Sequence, residues 1–501
     1  MKKMKKLTRV LVLMLVACLS VALLVGCGDK TETPAGDETQ AGTNTGLKTY
    51  NITVNKGLEY GKIEANPLKA ENGGTAYEIV VTPKLGYEVK TLTIGGVQLE
   101  VKDNKANCVL GGDCALEVTY QRKNNEELAS RRTKVLDEMK LITGTYFKFN
   151  TTYDYKITSG KAATIDSGYL YQGMPYSNFP TVSYYQFIKD YTTGADENGV
   201  YQVKDIWADP LNFAIVGNNC ADAIYWSWSA VSTTMNCVVS GAFSEPNGLV
   251  NIGTFTVQDG DLDAKNQYVD TAAVAQRNGM FTMCDSYAML MRGDAVMNAT
   301  NGAGHIVMID EVNVVYGSDG KINGDRSYII YYDQNAGYSE KNGYLGQKVM
   351  SSTENGDKWT FTQMFNDGYL PMTCKELMDE SFAIEEEKVS DSLNAAQFTK
   401  MNVTRGFIES NYYFSKIRME ITDANGNTVY AGDRFRDELN PKRVALSWFT
   451  QTNGTEYKHM TIYNDVFDMN ALTDGSTYHC KVTVWLASGN EYVVRDFDFT
   501  K

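Results

Sequence analysis

Histidine is scarce in this chain: His305, His459 and His479 are the three in 501 residues. They lie far apart, and no set of His, Cys and Asp has the spacing of a zinc site, so no metal is expected. Glycine loops of the kind that cradle phosphate are missing too, and no cofactor is expected. Proline is sparse, nine residues, against 32 tyrosines and 43 glycines. That balance favours strands joined by many turns. Basic patches are absent and the formal charge is −14. Without the five basic residues that precede Cys27 it falls to −19. An acidic surface of this size argues against nucleic acid and anionic membrane as partners. The length suggests three or so domains. Two strings resemble calcium loops, S-D-G-K-I-N-G-D at Asp319 and D-A-N-G-N at Asp423. Each sits between strand patterns and is read as a hairpin turn.

The first residues form a processing signal rather than a fold. A basic start, M-K-K-M-K-K-L-T-R, leads into an apolar run from Val10 to Val25 that is short for a membrane span. Leu24 to Cys27, L-V-G-C, looks like a bacterial lipobox. The pattern implies lipidation of Cys27 and anchoring on the outer face of the cytoplasmic membrane, in the cell envelope. Residues 28–46, rich in Gly, Thr, Glu and Asp, read as a tether.

A thiol with a use for histidine lies in the stretch Asn218–Val231, N-N-C-A-D-A-I-Y-W-S-W-S-A-V. Asn218 and Asn219 are good cap residues, and Ile224, Trp228 and Val231 recur at helical spacing. Cys220 therefore falls at a helix start, where the macrodipole favours thiolate. Downstream come three short strands: R-G-D-A-V-M from Arg292, G-A-G-H-I-V-M-I-D around His305, and S-Y-I-I-Y-Y-D-Q-N ending near Asp333 and Gln334. A thiolate, an imidazole and a polar group to orient it are the parts of Cys–His nucleophilic catalysis. Alternation along the last strand puts Asp333 and Gln334 on opposite faces, so one of them can serve. Asp294 caps or pins a turn. Cys284 is structural, or a partner for Cys237.

Four short motifs in order carry a family resemblance: G-M-P-Y (Gly173–Tyr176), N-C-A-D (Asn219–Asp222), G-D-A-V (Gly293–Val296) and G-H-I-V (Gly304–Val307). Over roughly residues 130 to 380 the chain resembles the NlpC-type, papain-like cell-wall peptidases. Asn219, Ala221 and Asp222 replace that family's usual Asp, Ser and Gly. The gap to His305 is also longer, with residues 237–280 inserted as loops beside the cleft. The resemblance implies that Tyr176 lines the groove, with its hydroxyl available to substrate or oxyanion. Asn219 and Asp222 are placed with it as substrate-facing residues. It also implies a polar third member, for which Gln334 is preferred and Asp333 held in reserve. N–H groups at the helix start, including that of Cys220, would form part of an oxyanion hole. The implied substrate is a peptidoglycan stem peptide or another surface peptide.

Residues 47–122 alternate as a small β domain, with turns at N-G-G and P-K-L-G-Y, and resemble the internalin-type surface repeat. Cys108 and Cys114 flank V-L-G-G-D and are expected to close a disulfide outside the cell. A charged helix over 124–142 has an apolar stripe of Leu128, Val135, Met139 and Leu141 and a charged face read as solvated. After Trp359 a short helix and an edge strand complete the central domain. Residues 383–501 have the patterning of an immunoglobulin-like β-sandwich, in which His459 and His479 are surface residues. The expected protein is multidomain. Signal (1–27) and linker (28–46) precede a small β domain (47–122), an α+β papain-like hydrolase domain (123–382) and a β-sandwich (383–501). Three rivals stand beside the peptidase reading: an inactive adhesin or scaffold, a transglutaminase-like cross-linker (which favours Asp333), and a peptidase directed at proteins.

Overall fold

The computed structural model describes residues 24–25, 47–158, 161–178, 181–232, 248–262, 268–300, 303–335, 347–349, 359–391, 407–412, 414–435, 447–450, 458–461, 472–486 and 490–501. Cys27, the tether and Cys237 lie outside them. With 48 % strand against 18 % helix, the protein is mostly β and multidomain. It divides into two compact units, Met1–Arg122 and Lys123–Lys501.

In the first unit, strands Lys105–Leu110, Gly74–Pro83 and Gly61–Glu71 form one sheet, and Ile52–Lys56, Cys114–Arg122, Tyr87–Ile94 and Val97–Leu99 form another. Their alternating inward residues, among them Ile79, Val81, Leu92, Leu110, Leu116 and Val118, make its core. The N-G-G turn has Asn72 and Gly73 both at positive φ, 49° and 78°. That geometry suits the right-handed twist of the hairpin strands. The expected disulfide is not formed. Cys108 pairs across to Tyr77 in one sheet while Cys114 opens a strand of the other, opposite Ile52, and no disulfide joins them. Burial, with Cys114 nearby, pushes the Cys108 thiol up to about 11.

The second unit is built around a seven-stranded sheet: β1 (Leu249–Asn251), β2 (Ala295–Thr300), β3 (Ala303–Asn313), β4 (Tyr328–Gln334), β5 (Gln347–Val349), β6 (Trp359–Thr360) and β7 (Leu370–Cys374). Across the sheet the order is β1-β7-β2-β3-β4-β5, with β6 also on β4. Two expectations change here. The stretch read as an inserted loop supplies β1 and the start of a helix. In taking the edge, β1 makes β7 an interior strand. Helices α1 (Glu126–Gly144), α2 (Tyr184–Tyr191), α3 (Cys220–Trp228), α4 (Thr271–Tyr287) and α5 (Phe361–Asn366) accompany the sheet. Helix α1 packs on α3, and α3 on β3 and β4.

Asn125 caps α1 by accepting the Leu128 N–H at 3.0 Å. Leu128, Val135 and Met139 of the apolar stripe of α1 are buried and Leu141 partly so, but the charged side is not all solvated: Arg131 and Arg132 are each 4 % exposed. Arg131 donates to the carbonyls of Glu376 and Phe382. Arg132 donates to the carbonyls of Arg292 and Leu377 and to the Asp294 carboxylate at 2.9 Å. Asp294 also accepts the Met291 N–H at 2.7 Å, which pins the turn before β2. The Gly293 carbonyl takes the Trp228 indole N–H at 2.7 Å. This one Gly-Asp turn thus ties α1 and the end of α3 to the sheet.

Beyond residue 383 two four-stranded sheets share a second core of Ile408, Ile417, Ile421, Cys480 and Val484. Trp485 there lies under the ammonium groups of Lys189 and Lys416, at 5.0 and 4.7 Å, and Lys416 pairs with Asp190 of α2. The string at Asp423 is a hairpin turn, its carboxylate accepting the N–H groups of Asn425 and Asn427. At Asp319 a turn likewise closes, by the Tyr316–Ile322 bridge.

Removing one member of a buried ion pair strands the other. Asp294→Ala is expected to lower the unfolding free energy by about 3–5 kcal/mol, read by urea denaturation of the full-length protein. A loss below about 1 kcal/mol, the size of a surface pair, would show that the carbonyl contacts suffice for Arg132.

Candidate active site

Cys220 occupies the first helical position of α3 and is 8 % exposed. Asn219 is the cap: its side-chain oxygen accepts the Asp222 N–H at 2.9 Å. Its amide nitrogen donates to the Asp222 carboxylate at 2.7 Å. The two side chains close on each other and are buried, so they build the helix start instead of facing substrate. The Asn219 oxygen satisfies a first-turn N–H and the Asp222 carboxylate steadies the Asn219 amide, which holds Cys220 in place at the positive end of the helix.

The G-M-P-Y segment runs alongside. Ser177 N–H donates to the Asn218 carbonyl at 2.9 Å and Asn218 N–H to the Pro175 carbonyl at 3.0 Å. Gly217 is required by this approach, because a β-carbon there would lie 2.2 Å from the Pro175 oxygen. The result places the Tyr176 hydroxyl 3.8 Å from the Cys220 sulfur. The same hydroxyl lies near the Cys220 backbone N–H, which partly offsets the rise in its pKa. Burial first, and then the charge of Cys220, push the phenol's pKa well up, so Tyr176 stays a donor.

His305 lies near the start of β3, its backbone N–H held by the Asn298 side chain at 2.8 Å. Which residue orients its ring follows from strand register. Met308 pairs with Tyr332 and Ile309 with Tyr331. Carried on, that register sets Val307 opposite Asp333 and Ile306 opposite Gln334. Residues paired across a ladder share a face, so Asp333 shares the His305 face and Gln334 the other. The preference for Gln334 is therefore corrected. His305 Nε2 is 2.7 Å from Asp333 Oδ1, while Gln334 Nε2 donates to the Met174 carbonyl at 2.9 Å. Asn335 donates to the second oxygen of Asp333. Asn335 and Asn298 were missed as site residues. Asn335 sat in plain view in D-Q-N, but only the register shows what either amide touches.

With Nε2 on Asp333, the other ring nitrogen is left for the thiol. Burial alone would raise the Cys220 pKa, but the hydrogen bond and charge of His305, the Ile306 N–H and the Tyr176 hydroxyl outweigh it and lower it. Burial would depress the His305 pKa. The bonds to Asp333 and Cys220 and their charges override this and push it up to about 10. Both shifts favour one state, a thiolate–imidazolium pair. The imidazole keeps 27 % of its surface exposed and Asp333 7 %. Tyr369 stands within electrostatic reach of Asp333 and Cys220, in a cluster with Trp359 and Tyr331.

Cys284 is a buried free thiol in α4, and burial pushes it up to about 11. His479 sits between Asp496 and Asp498 in the last sheets, at 2.8 Å from each. His459 is on the strand Lys458–Thr461. Among the described residues, no group of three or more His, Cys, Asp or Glu side chains could hold a metal ion. No helix among them is long and apolar enough to cross a membrane. No family model matches the chain and no curated protein matches it.

Iodoacetamide labelling of the full-length protein, mapped by peptide mass across pH 5 to 10, checks the pair. Cys220 is expected to reach half its maximal rate below 9.0, the ordinary thiol value. Cys284 and Cys374, both raised by burial, should label slowly throughout. Asp333→Ala lowers the His305 pKa, withdraws positive charge from the sulfur, and should move the Cys220 midpoint up by about one unit or more. An unmoved midpoint would mean that the carboxylate does not support the imidazolium.

Proposed function

We propose that residues 123–382 form a papain-like cysteine hydrolase domain of the NlpC type, acting on amide bonds in peptidoglycan stem peptides. The observation that carries this reading is the line of groups Cys220–His305–Asp333, with the sulfur at a helix N-terminus. The Cys220 thiolate attacks the amide carbonyl. As its charge passes to oxygen, the oxyanion meets the Cys220 N–H, and the Tyr176 O–H, no longer drawn to sulfur, turns to it. The His305 imidazolium gives its proton to the departing amine, leaving a thioester. Neutral His305 then takes a proton from water, whose oxygen attacks the thioester and restores the acid and the thiolate. Asp333 holds the ring and its charge throughout. The lipobox reading puts this domain on the outer face of the cytoplasmic membrane, anchored through Cys27. The first unit then serves as a surface-repeat spacer, and residues 383–501 as an immunoglobulin-like sandwich for positioning or surface binding.

One observation favours a second reading. A carboxylate as third member is what a transglutaminase-like cross-linker would use, and the same thioester can pass its acyl group to an amine. Incubating the full-length protein with wall stem peptides, with and without a fluorescent primary amine, separates the two. The expected result is hydrolysis with little amine incorporation, abolished in Cys220→Ala and His305→Ala and reduced about a hundredfold in Asp333→Ala. Dominant incorporation would establish the cross-linker, and cleavage of casein instead of wall peptides would establish a protein-directed peptidase. Hydrolysis needs the thiolate and the imidazolium together, so it should rise with Cys220 ionisation and fall again near pH 10, as His305 loses its proton. Alkylation needs the thiolate alone and should show only the first limb. A Cys220 no more reactive than Cys284 would leave the adhesin or scaffold reading in possession.

A further inference from the structure

We propose that Gln334 is a positioning residue: it couples the end of the strand that carries Asp333 to the segment that presents Tyr176 to the nucleophile. Its bearing on catalysis rests on the cysteine hydrolase reading, while its evidence is geometric. Gln334 is fully buried and donates to the Met174 carbonyl at 2.9 Å. Its own side-chain oxygen is buried with no donor. An amide left half unsatisfied is costly where an apolar side chain of the same shape would pack as well. The bond to Met174 is what the amide provides.

That bond closes a frame around Tyr176. Upstream, Gly173 and Met174 N–H groups donate to the Thr145 and Ile142 carbonyls at the end of α1. Downstream, Pro175 and Ser177 exchange hydrogen bonds with Asn218, just before α3. Gln334 ties the middle of this arch to β4, one residue after Asp333 has turned to His305 on the opposite face. The spacing between the group that orients the base and the hydroxyl that touches the thiol is thereby fixed by adjacent residues of one strand. A shift at the end of β4 moves both together.

The test compares Gln334→Met, which keeps the shape and removes the donor, with Tyr176→Phe and the double variant, all as full-length protein. The readouts are the pH midpoint of Cys220 alkylation and the thermal midpoint. If Gln334 acts through Tyr176, each single variant raises the alkylation midpoint by a similar amount, up to about one pH unit or tenfold in thiolate. The double variant should then shift no further than either single one. A folded Gln334→Met with the wild-type midpoint would overturn the proposal. Additive shifts in the double variant, or a Tyr176→Phe that leaves the midpoint alone, would do the same. Should Gln334→Met be too unstable, Gln334→Asn keeps the amide but withdraws it from the carbonyl and must give the same shift. A protein that passes this test and cleaves no wall peptide refutes the wall-peptide reading and leaves the coupling standing. Hydrolysis without the coupled shifts does the reverse.

Discussion

The imidazole of His305 is held from two sides, by a carboxylate at 2.7 Å on one nitrogen and a thiol on the other. Each partner alone would be a liability in this setting. A buried thiolate without a cation is expensive, and so is a buried carboxylate without a donor. Joined through one ring, the two negative groups share a positive one, and the charged form of the trio becomes the stable form. Much of the surrounding architecture maintains that spacing. Asn335 fixes the outer oxygen of Asp333, Asn298 fixes the His305 backbone, and the Asn219–Asp222 cap fixes the start of α3.

The elements that carry the trio are welded at a second point, away from it. Arg132 reaches from α1 to Asp294, and Trp228 from the end of α3 to the Gly293 carbonyl. A motif legible as G-D therefore has a structural use: it sets α1 and α3 against β2 and leaves β3 and β4 to deliver His305 and Asp333. Burying an arginine this deeply is tolerated because carbonyls and a carboxylate take the donors of its two terminal nitrogens. The cost of losing one of them is correspondingly local and large.

The site also shows why the amide and the acid beside the nucleophile could be misassigned. Asn219 and Asp222 sit one before and two after Cys220, so in a linear reading they look as exposed to substrate as the thiol. In three dimensions their side chains turn back to bond each other. Polar residues at a helix start are required by the free N–H groups whatever the helix does, and that local demand used Asn219 directly and Asp222 as the acceptor for its amide. Tyr176 had no such demand, and it reached the sulfur.

Local chemistry in the sequence determined a good deal. The cap and apolar spacing placed Cys220 at a helix start, a short apolar run after glycines placed His305 on a strand, and Asn72-Gly73 marked a hairpin turn. Each rests on interactions within a few residues, which is why each could be read along the chain. Tertiary structure decided what depends on partners distant in sequence. Alternation required that Asp333 and Gln334 face opposite ways, but only the β3–β4 register, set by packing of whole strands, gave Asp333 to His305 and Gln334 to Met174. The same holds for Arg131 and Arg132, charged in sequence and buried in fact, because their carbonyl partners lie some 160 to 250 residues away. It holds too for Cys108 and Cys114, six positions apart yet on different sheets.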